Sequence, residues 1–488
     1  MTKSKPVIFW FRNDLRLADN PALAAACDTG QPVIPVYIHD DVNAGIWKNG
    51  GATNWWLHQS LTSLAASIGA AGLHPLVFCK GDAKAEIARL VKETGADHVF
   101  WNRCYEPWAI ARDTQIKESL KSGGVDAQSF SAFLLFEPWE IQNKTGQPYK
   151  VFTPYSRACL ERGGIRPPVS GKLKSDGKPI ITGLPLEKLG LMPDIKWYDG
   201  MAETWTPGET GAKKRLKKFI TGCLDEYKAQ RDFPAVDGGS RMSPYLHFGE
   251  ISPHIIWHDV SKAIAEAGHD NAFANHGQGY LRQLLWREFS WHLLYHFPEF
   301  PEKAWNPRFA GFKWKKNKKL LNHWQKGQTG YPIIDAGMRE LWQTGWMHNR
   351  VRMLVGSFLV KNLLLDWRDG EDWFWDTLVD ADLGNNAQGW QWIAGCGADA
   401  APYFRIFNPI LQSRKFDAEG DYIRRYVPEL SKLPDEFIHA PWEAPAMELH
   451  RAGITLGKTY PHPIVDHAEA RDLALKAYHD SKPDDDAA

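Results

Sequence analysis

The sequence predicts two architectures in one chain: an α/β doubly wound parallel sheet at the N-terminal end and an all-α domain at the C-terminal end. Three observations carry this reading. Short apolar runs alternate with helical periodicity through about residue 135. From Lys213 onward helix patterns dominate and strand signals fade. At 488 residues the chain is also too long for one hydrophobic core.

The elements follow in order. Residues 6–12, PVIFWFR, make a short apolar strand, NPALAAAC has helical periodicity, and QPVIPVYIHD is a second strand. WWLHQSLTSLAASIGAAG is an amphipathic helix; HPLVFCKG, an alanine-rich helix and ADHVFWNR continue the alternation. No GxGxxG follows the first strand, so the standard dinucleotide fingerprint is absent; Arg12, Asp14 and Arg16 stand there instead. Residues 136–205, rich in Pro, Gly and Lys, read as an interdomain linker with a few turns. Beyond it KKRLKKFITGCLDEYKAQR, SPHIIWHDVSKAIAEAG, YLRQLLWREFSWHLLYH, GMRELWQTGWMHNRVRMLVGSFLVKNLLL and GEDWFWDTLVDADLG fit helices. The predicted domains are thus 1–135 and 206–480 around that linker, with a polar, acidic, disordered tail over 481–488.

Composition narrows the class. Apolar content is 43%, ordinary for a globular protein. No run of roughly 18 apolar residues appears, so no membrane helix is expected. The start, MTKSKPVIFWFRNDLR, meets charge directly after a short apolar run, unlike a secretory signal. The six cysteines are scattered without CxxC spacing, which points to reduced thiols in a cytoplasmic protein and to no metal site. Formal net charge is zero, so a polyanion partner needs a local basic face. KKRLKK (213–218) and KWKKNKKLL (313–321), with Arg350, Arg405, Arg414 and Lys415, are candidates for it, although single basic runs are usually solvated.

Of the 23 tryptophans, 13 lie from Trp286 onward. A tryptophan-rich core accounts for most of them. It does not account for residues 380–417, where Asp380, Asp382, Asn385 and Asn386 precede Trp390 and Trp392. Such polar groups fix a large heteroaromatic ring, and indoles both stack on it and lose single electrons, so the mixture suits a redox cofactor. In residues 345–367 a helix brings Asn349, Arg352 and Met353 within one turn. Arg352 can pair with Asp380 or Asp382, although a structural ion pair is the commoner role. LLWREFSWHLL puts Trp286 beside Arg287, with Gln283 one turn earlier; Trp286 and Trp392 together would wall a pocket for a flat base. DGGSRMSPYLHFGEIS offers Gly239, Ser240, Arg241, Met242 and Ser243 as a diphosphate cradle at a helix start, against the commoner reading of a simple N-cap.

The joint pattern resembles the DNA photolyase/cryptochrome family over nearly the whole chain. The motifs are WFRNDLRLADNPAL, RDFPAVDGGSRMSPYL, LLWREF, TGYPIIDAGMRELWQTGWMHNRVRM and DAAPYFRIFNPILQSRKFD. The resemblance implies an antenna domain and a helical domain holding flavin adenine dinucleotide (FAD), with a second antenna chromophore, folate or deazaflavin. YEPWAIARD lacks the Asn-Glu pair that holds folate in many members, and its EPW is only loosely of the deazaflavin type, so that chromophore stays unassigned. Carried over by residue, Tyr227, Ser240, Arg241 and Ser243 surround the FAD phosphates and ribityl chain, with Gly239 where a hydroxyl is usual. Asn349, Arg352, Asp380, Ala381 and Asp382 hold the isoalloxazine, and Asn386 faces its N5. Trp390, Trp367 and Trp314 match the family's electron-transfer chain.

The resemblance further implies that Trp286 and Trp392 flank a flipped-out pyrimidine dimer. Asn349, Arg350 and Met353 line that pocket, with Arg231, Arg287 and Gln412 near the DNA. Members that repair (6-4) photoproducts carry histidines where this chain has Asn349 and Met353, which favours cyclobutane dimers. Gln283 stands where most cyclobutane photolyases have glutamate; it keeps hydrogen-bonding capacity but loses the charge and the transferable proton. The expected function is light-driven repair of cyclobutane dimers in DNA by a monomer that binds no membrane. A cryptochrome-type photoreceptor, a (6-4) photolyase and a DNA-binding module with a vestigial flavin are the alternatives.

Overall fold

The structure, a computed structural model, describes residues 5–169, 180–400 and 404–481. The expected tail, beyond Ser481, lies outside them, as does part of the 136–205 segment. Packing divides the chain into two compact units. One holds Met1–Lys196, Thr204–Asp225 and Ser240–Pro298; the other holds Trp197–Glu203, Glu226–Gly239 and Glu299–Ala488.

The first unit is built on five parallel strands: β1 (Val7–Phe11), β2 (Val33–His39), β3 (Val77–Lys80), β4 (His98–Asn102) and β5 (Asp126–Phe130). Their order is β3-β2-β1-β4-β5. Every residue of β1 is buried, as expected for a central parallel strand covered on both faces. Helices α1 (Pro21–Asp28), α2 (Gly51–Ala70), α3 (Ala83–Thr94) and α4 (Pro107–Ser122) alternate with the strands. Asn20 caps α1 by accepting from the Leu23 amide at 3.1 Å, and Asp82 caps α3. The Pro-, Gly- and Lys-rich stretch read as a linker carries a further helix, α5 (Phe152–Arg162). Its buried face, Phe152, Tyr155 and Cys159, explains why it forms despite the surrounding breakers. The long helix Asn271–His296 also belongs to this unit.

A buried acid marks this unit. Glu250 Oε1 accepts from the Trp56 indole at 3.1 Å and from the Gly208 amide at 2.7 Å. Burial pushes its carboxyl up to about 8.

The second unit is helical, around a core that includes Trp324, Val355, Phe358, Trp367 and Trp390. Two stretches that fit single helices in the sequence are broken in the fold. Residues 337–365 divide into the end of Pro332–Thr344, then Asn349–Ser357, then a π-turn over Phe358–Asn362. Gly345, at φ +65°, stops the first helix; a β-carbon there would meet Met201 and Val379. Likewise Trp367–Thr377 and Leu383–Ala394 are separate helices joined through residues 378–382. No helix among the described residues is long and apolar enough to cross a membrane.

Candidate functional site

In the second unit the breaks themselves assemble a polar cluster. The Gly345 carbonyl accepts from the Val379 amide at 2.7 Å, tying the 345–348 turn to the 378–382 turn. His348 caps the next helix through Nδ1, and its own amide donates to buried Glu340. Tyr422 donates to the same Glu340 oxygen at 2.6 Å. Asn349 is therefore the exposed first residue of a fixed helix, with Arg352 and Met353 one turn on. Arg352 Nε donates to the Met347 carbonyl at 2.8 Å. Its Nη2 donates to both oxygens of Asp380, at 3.0 and 2.8 Å. Of the two acids open to Arg352, Asp380 is thus the partner. Asp382 instead caps Leu383–Ala394, accepting from the Asn385 amide and side chain at 2.9 Å each. Ala381 is buried between them, so only its backbone is open to a ligand.

Asn386 is buried and donates through Nδ2 to the Glu371 carbonyl at 3.1 Å, which fixes the amide's orientation. Glu371 is itself buried, with Oε1 unpartnered, and burial holds its carboxyl well above the ordinary range. Trp390 is packed edge-on by Phe374 at 4.9 Å and Trp324 at 6.1 Å, and its indole N–H is buried without an acceptor among the described residues. Gly370 lies so close beneath the ring that a β-carbon would overlap it. Trp367 stands one helical turn before Gly370 and is fully buried. Trp314 is half-buried, and the next residue's amide, Lys315, donates at 2.7 Å to Leu364, just ahead of Trp367. The three tryptophans thus step from core to surface.

Other candidates in this unit sit apart from that cluster's hydrogen bonds. Tyr227 is buried under the Arg231 guanidinium, 5.3 Å from its ring centre. Arg350 pairs with Asp232 at 2.9 Å and lies 4.4 Å from the Phe416 ring centre. Gln412, Met353 and Trp392 are half-buried; Trp392 is two residues past Trp390 and so projects from the other side of its helix. Lys315, in the 313–321 basic run, bonds Leu364 just past the end of the 349–362 helical stretch, ~20 Å along the axis from Asn349.

In the first unit Trp286 stacks face to face on Phe152, with ring centres 3.5 Å apart and planes 9° from parallel. Gln283 donates to the Gly279 carbonyl one turn back, at 3.3 Å. Arg287, expected near DNA, is instead buried. It donates to the Phe133 carbonyl at 3.0 Å, meets Glu288 at 3.3 Å and covers the Phe133 ring. One residue beyond Trp286, it falls on the core side of the helix. Ser240 accepts from the Met242 amide through Oγ at 3.3 Å, and Arg241 adopts φ +51°, a conformation rare for a residue with a side chain. Ser243 opens a short helix without a side-chain cap, and the Met242 side chain is buried. The simple N-cap reading of Ser240 does not apply, because its hydroxyl serves the turn.

At the carboxyl ends of β1 and β4, where strand order reverses, Trp10 lies between Arg12 and Arg112, 4.7 and 4.8 Å from their guanidinium carbons. Arg12 pairs with Asp113 yet leaves Nε and Nη2 buried without partners among the described residues.

Comparison with known proteins now decides the family. A family model described as DNA photolyase matches residues 7–171, and one described as the FAD binding domain of DNA photolyase matches residues 280–480. A deoxyribodipyrimidine photo-lyase from Agrobacterium fabrum is 51% identical over 479 residues, covering 98% of each chain. The chain belongs to the DNA photolyase/cryptochrome family. Cryptochrome-2 of Arabidopsis thaliana is 39% identical, across 98% of this chain and 79% of its own length. The crystal structure of a bacterial class III photolyase from Agrobacterium tumefaciens superposes with a TM-score of 0.93 at 50% identity, over 99% of this chain and 98% of the other.

The photolyase chain therefore carries an FAD-binding domain, and its residues fit the cofactor. Arg352 keeps Nη1 without a partner among the described residues, Asn349 is exposed beside it, and the Asp380 and Asp382 carboxylates flank a buried amide. That donor and acceptor set suits the alternating N–H and C=O edge of a flavin. Roles that had no sequence signal are those of Phe152, Glu340, Arg368, Gly370 and Glu371, which act by packing on or bonding to distant residues.

Proposed function

We propose that this photolyase repairs cyclobutane pyrimidine dimers in DNA under light. The Arg352–Asp380 pair beside the oriented Asn386 amide and buried Trp390 carries the reading. When bound, reduced FAD supplies on excitation the one electron that opens the C5–C5 and C6–C6 bonds of the dimer and takes it back, so no net redox change occurs. Arg352 places one positive charge at the flavin edge, with Asp380 fixing its direction. Asn386 presents its Oδ1, because Nδ2 is committed to Glu371. Ser240, Arg241 and Ser243 keep the phosphate-facing roles that the family pattern gives them, as do Tyr227 and Gly239. Trp286, with one face covered by Phe152, offers the other to a flipped base; the family pattern gives Trp392 a base-stacking role as well. Arg350, Arg231 and Gln412 meet the DNA backbone. Trp390, Trp367 and Trp314 deliver electrons inward to oxidised cofactor. The cluster at Trp10, Arg12 and Arg112 is where a second chromophore would sit.

The test uses chemically reduced protein mixed with oligothymidine containing cyclobutane dimers, illuminated near 380 nm (roughly where reduced flavin absorbs). Light-dependent return of thymine absorbance is the expected result and shows that Gln283 suffices. Absence of recovery, with flavin bound and photoreducible, turns the assignment to a photoreceptor. That second reading is favoured by Gln283.

A further inference from the structure

Trp314 is flanked along the chain by five lysines. Lys313, Lys315, Lys316, Lys318 and Lys319 are all exposed, and no ion pair engages them among the described residues. Asp369 does lie within reach of the Lys316 charge, so Lys313, Lys315, Lys318 and Lys319 dominate the patch. Since the whole chain is neutral, this is a local field and not a reflection of bulk charge.

Two features set the patch apart from an ordinary solvated run. Lys318 and Lys319 are the first two residues of the Lys318–Gln325 helix, whose N-terminal amides are already capped by Asn317. Cations there oppose the helix dipole, so helix stability does not account for them. The loop is also docked on a strained residue. Leu364, which accepts from the Lys315 amide, holds φ +55°, an outlier for a bulky side chain. The Lys315 bond is one of the contacts that hold Leu364 in this conformation, in the turn that leads into Trp367.

We propose that the lysine-rich turn around Trp314 docks an acidic one-electron carrier protein, of flavin or iron–sulfur type, that re-reduces Trp314. The proposal rests on the electron-chain reading of Trp390, Trp367 and Trp314. In the step, the carrier gives up one electron and is oxidised by one unit, and the oxidised indole of Trp314 returns to its neutral state. No bond forms or breaks. Opposite charge raises encounter rates steeply and lets the complex part again, as a carrier requires. DNA is the less fitting occupant, because Asn349 and Arg350 lie at the far end of the 349–362 stretch.

The experiment uses the flavin-loaded protein and a purified acidic plant-type [2Fe–2S] ferredoxin, with reduced cytochrome c, a basic carrier, as the like-charge control. Binding of ferredoxin is titrated in the dark at low and at 0.5 M salt. Photoreduction under blue light is then followed with each carrier and with dithiothreitol. The triple variant Lys315→Glu, Lys318→Glu, Lys319→Glu is compared with Trp314→Phe. Expected are saturable, salt-sensitive ferredoxin binding, a tenfold or greater loss of binding and of ferredoxin-driven photoreduction in the triple variant, and unchanged photoreduction by dithiothreitol. Unchanged ferredoxin binding in the triple variant overturns the proposal, as does tight binding of cytochrome c. A loss of affinity for dimer-containing DNA in the triple variant overturns it in favour of a nucleic-acid face. If Trp314→Phe photoreduces normally with dithiothreitol, the electron chain itself is wrong and the docking role falls with it.

Discussion

The guanidinium carbon of Arg368 lies 4.5 Å from the centre of the Trp367 ring. Its arm is held by two bonds to the Glu302 carbonyl and by Asp366, so the position is fixed. A neutral indole attracts this cation; an indole that has lost an electron is repelled by it. On the proposed electron-chain reading, Arg368 therefore disfavours positive charge resting on Trp367. Arg368→Met should lengthen the lifetime of oxidised Trp367 and lower photoreduction yield by roughly fivefold, equivalent to about 1 kcal/mol. Transient absorption of the indole radical checks this.

Gly370 is the floor under Trp390, with no room for a methyl group. Gly370→Ala should displace the indole, cost about 1–3 kcal/mol in stability, and cut photoreduction more than tenfold. Repair by chemically reduced protein should survive. Paired photoreduction and repair assays separate the two, and Trp390→Phe should give the same division without the stability loss.

Breaking the Arg352–Asp380 pair should expel cofactor. Asp380 is almost wholly buried, while the Arg352 side chain is about a fifth exposed. Asp380→Asn should therefore cost less than a fully buried pair, about 2 kcal/mol, and leave the purified protein with less flavin. The ratio of flavin to protein absorbance, with a melting curve, measures both.

Phe152 governs how firmly Trp286 is held. Phe152→Leu keeps apolar volume but removes the stacked face, worth about 0.5–1.5 kcal/mol. Affinity for dimer-containing DNA should fall up to roughly tenfold with flavin content and photoreduction intact, and Phe152→Tyr should restore it. An equal loss of flavin would show a general packing defect instead.

Glu250 makes stability depend on pH. Folded, it holds its proton to about pH 8; unfolded, it releases it near 4.3. The folded state binds the extra proton between those values, so stability falls as pH rises through that window. Glu250→Gln keeps the acceptor for Trp56 and Gly208 and removes the ionisation. It should flatten the profile, stabilising the protein at pH 8 by on the order of 1–3 kcal/mol and changing little near pH 4. Chemical denaturation across that range reads it directly.

The sheet was legible where strands are buried on both faces, as in β1 and β2, whose runs are continuously apolar. β5 was not, because Asp126, Gln128 and Ser129 lie on an edge strand that tolerates polar residues. The helical breaks at Gly345 and at 378–382 were hidden inside good periodicity. The first carries a local mark, the left-handed Gly345 just past the helix end, which the surrounding periodicity outweighed. The Arg352–Asp380 pairing was one of two choices in the sequence, and only the capping role of Asp382 separates them. Arg287 misled because its neighbour Trp286 faces outward, and one residue on a helix is a turn of 100°.

The two compact units are interleaved along the chain, and this has a consequence for synthesis on the ribosome. The sheet-bearing unit is complete once residue 298 has emerged. By then Trp197–Glu203 and Glu226–Gly239 have long been made, but the rest of their unit has not. At about 5–20 residues per second, those two segments wait roughly 10–40 s for the C-terminal helices. Nascent chains should be most exposed to aggregation and to chaperone capture during that interval. For the same reason no single cut of the gene can release the second unit whole.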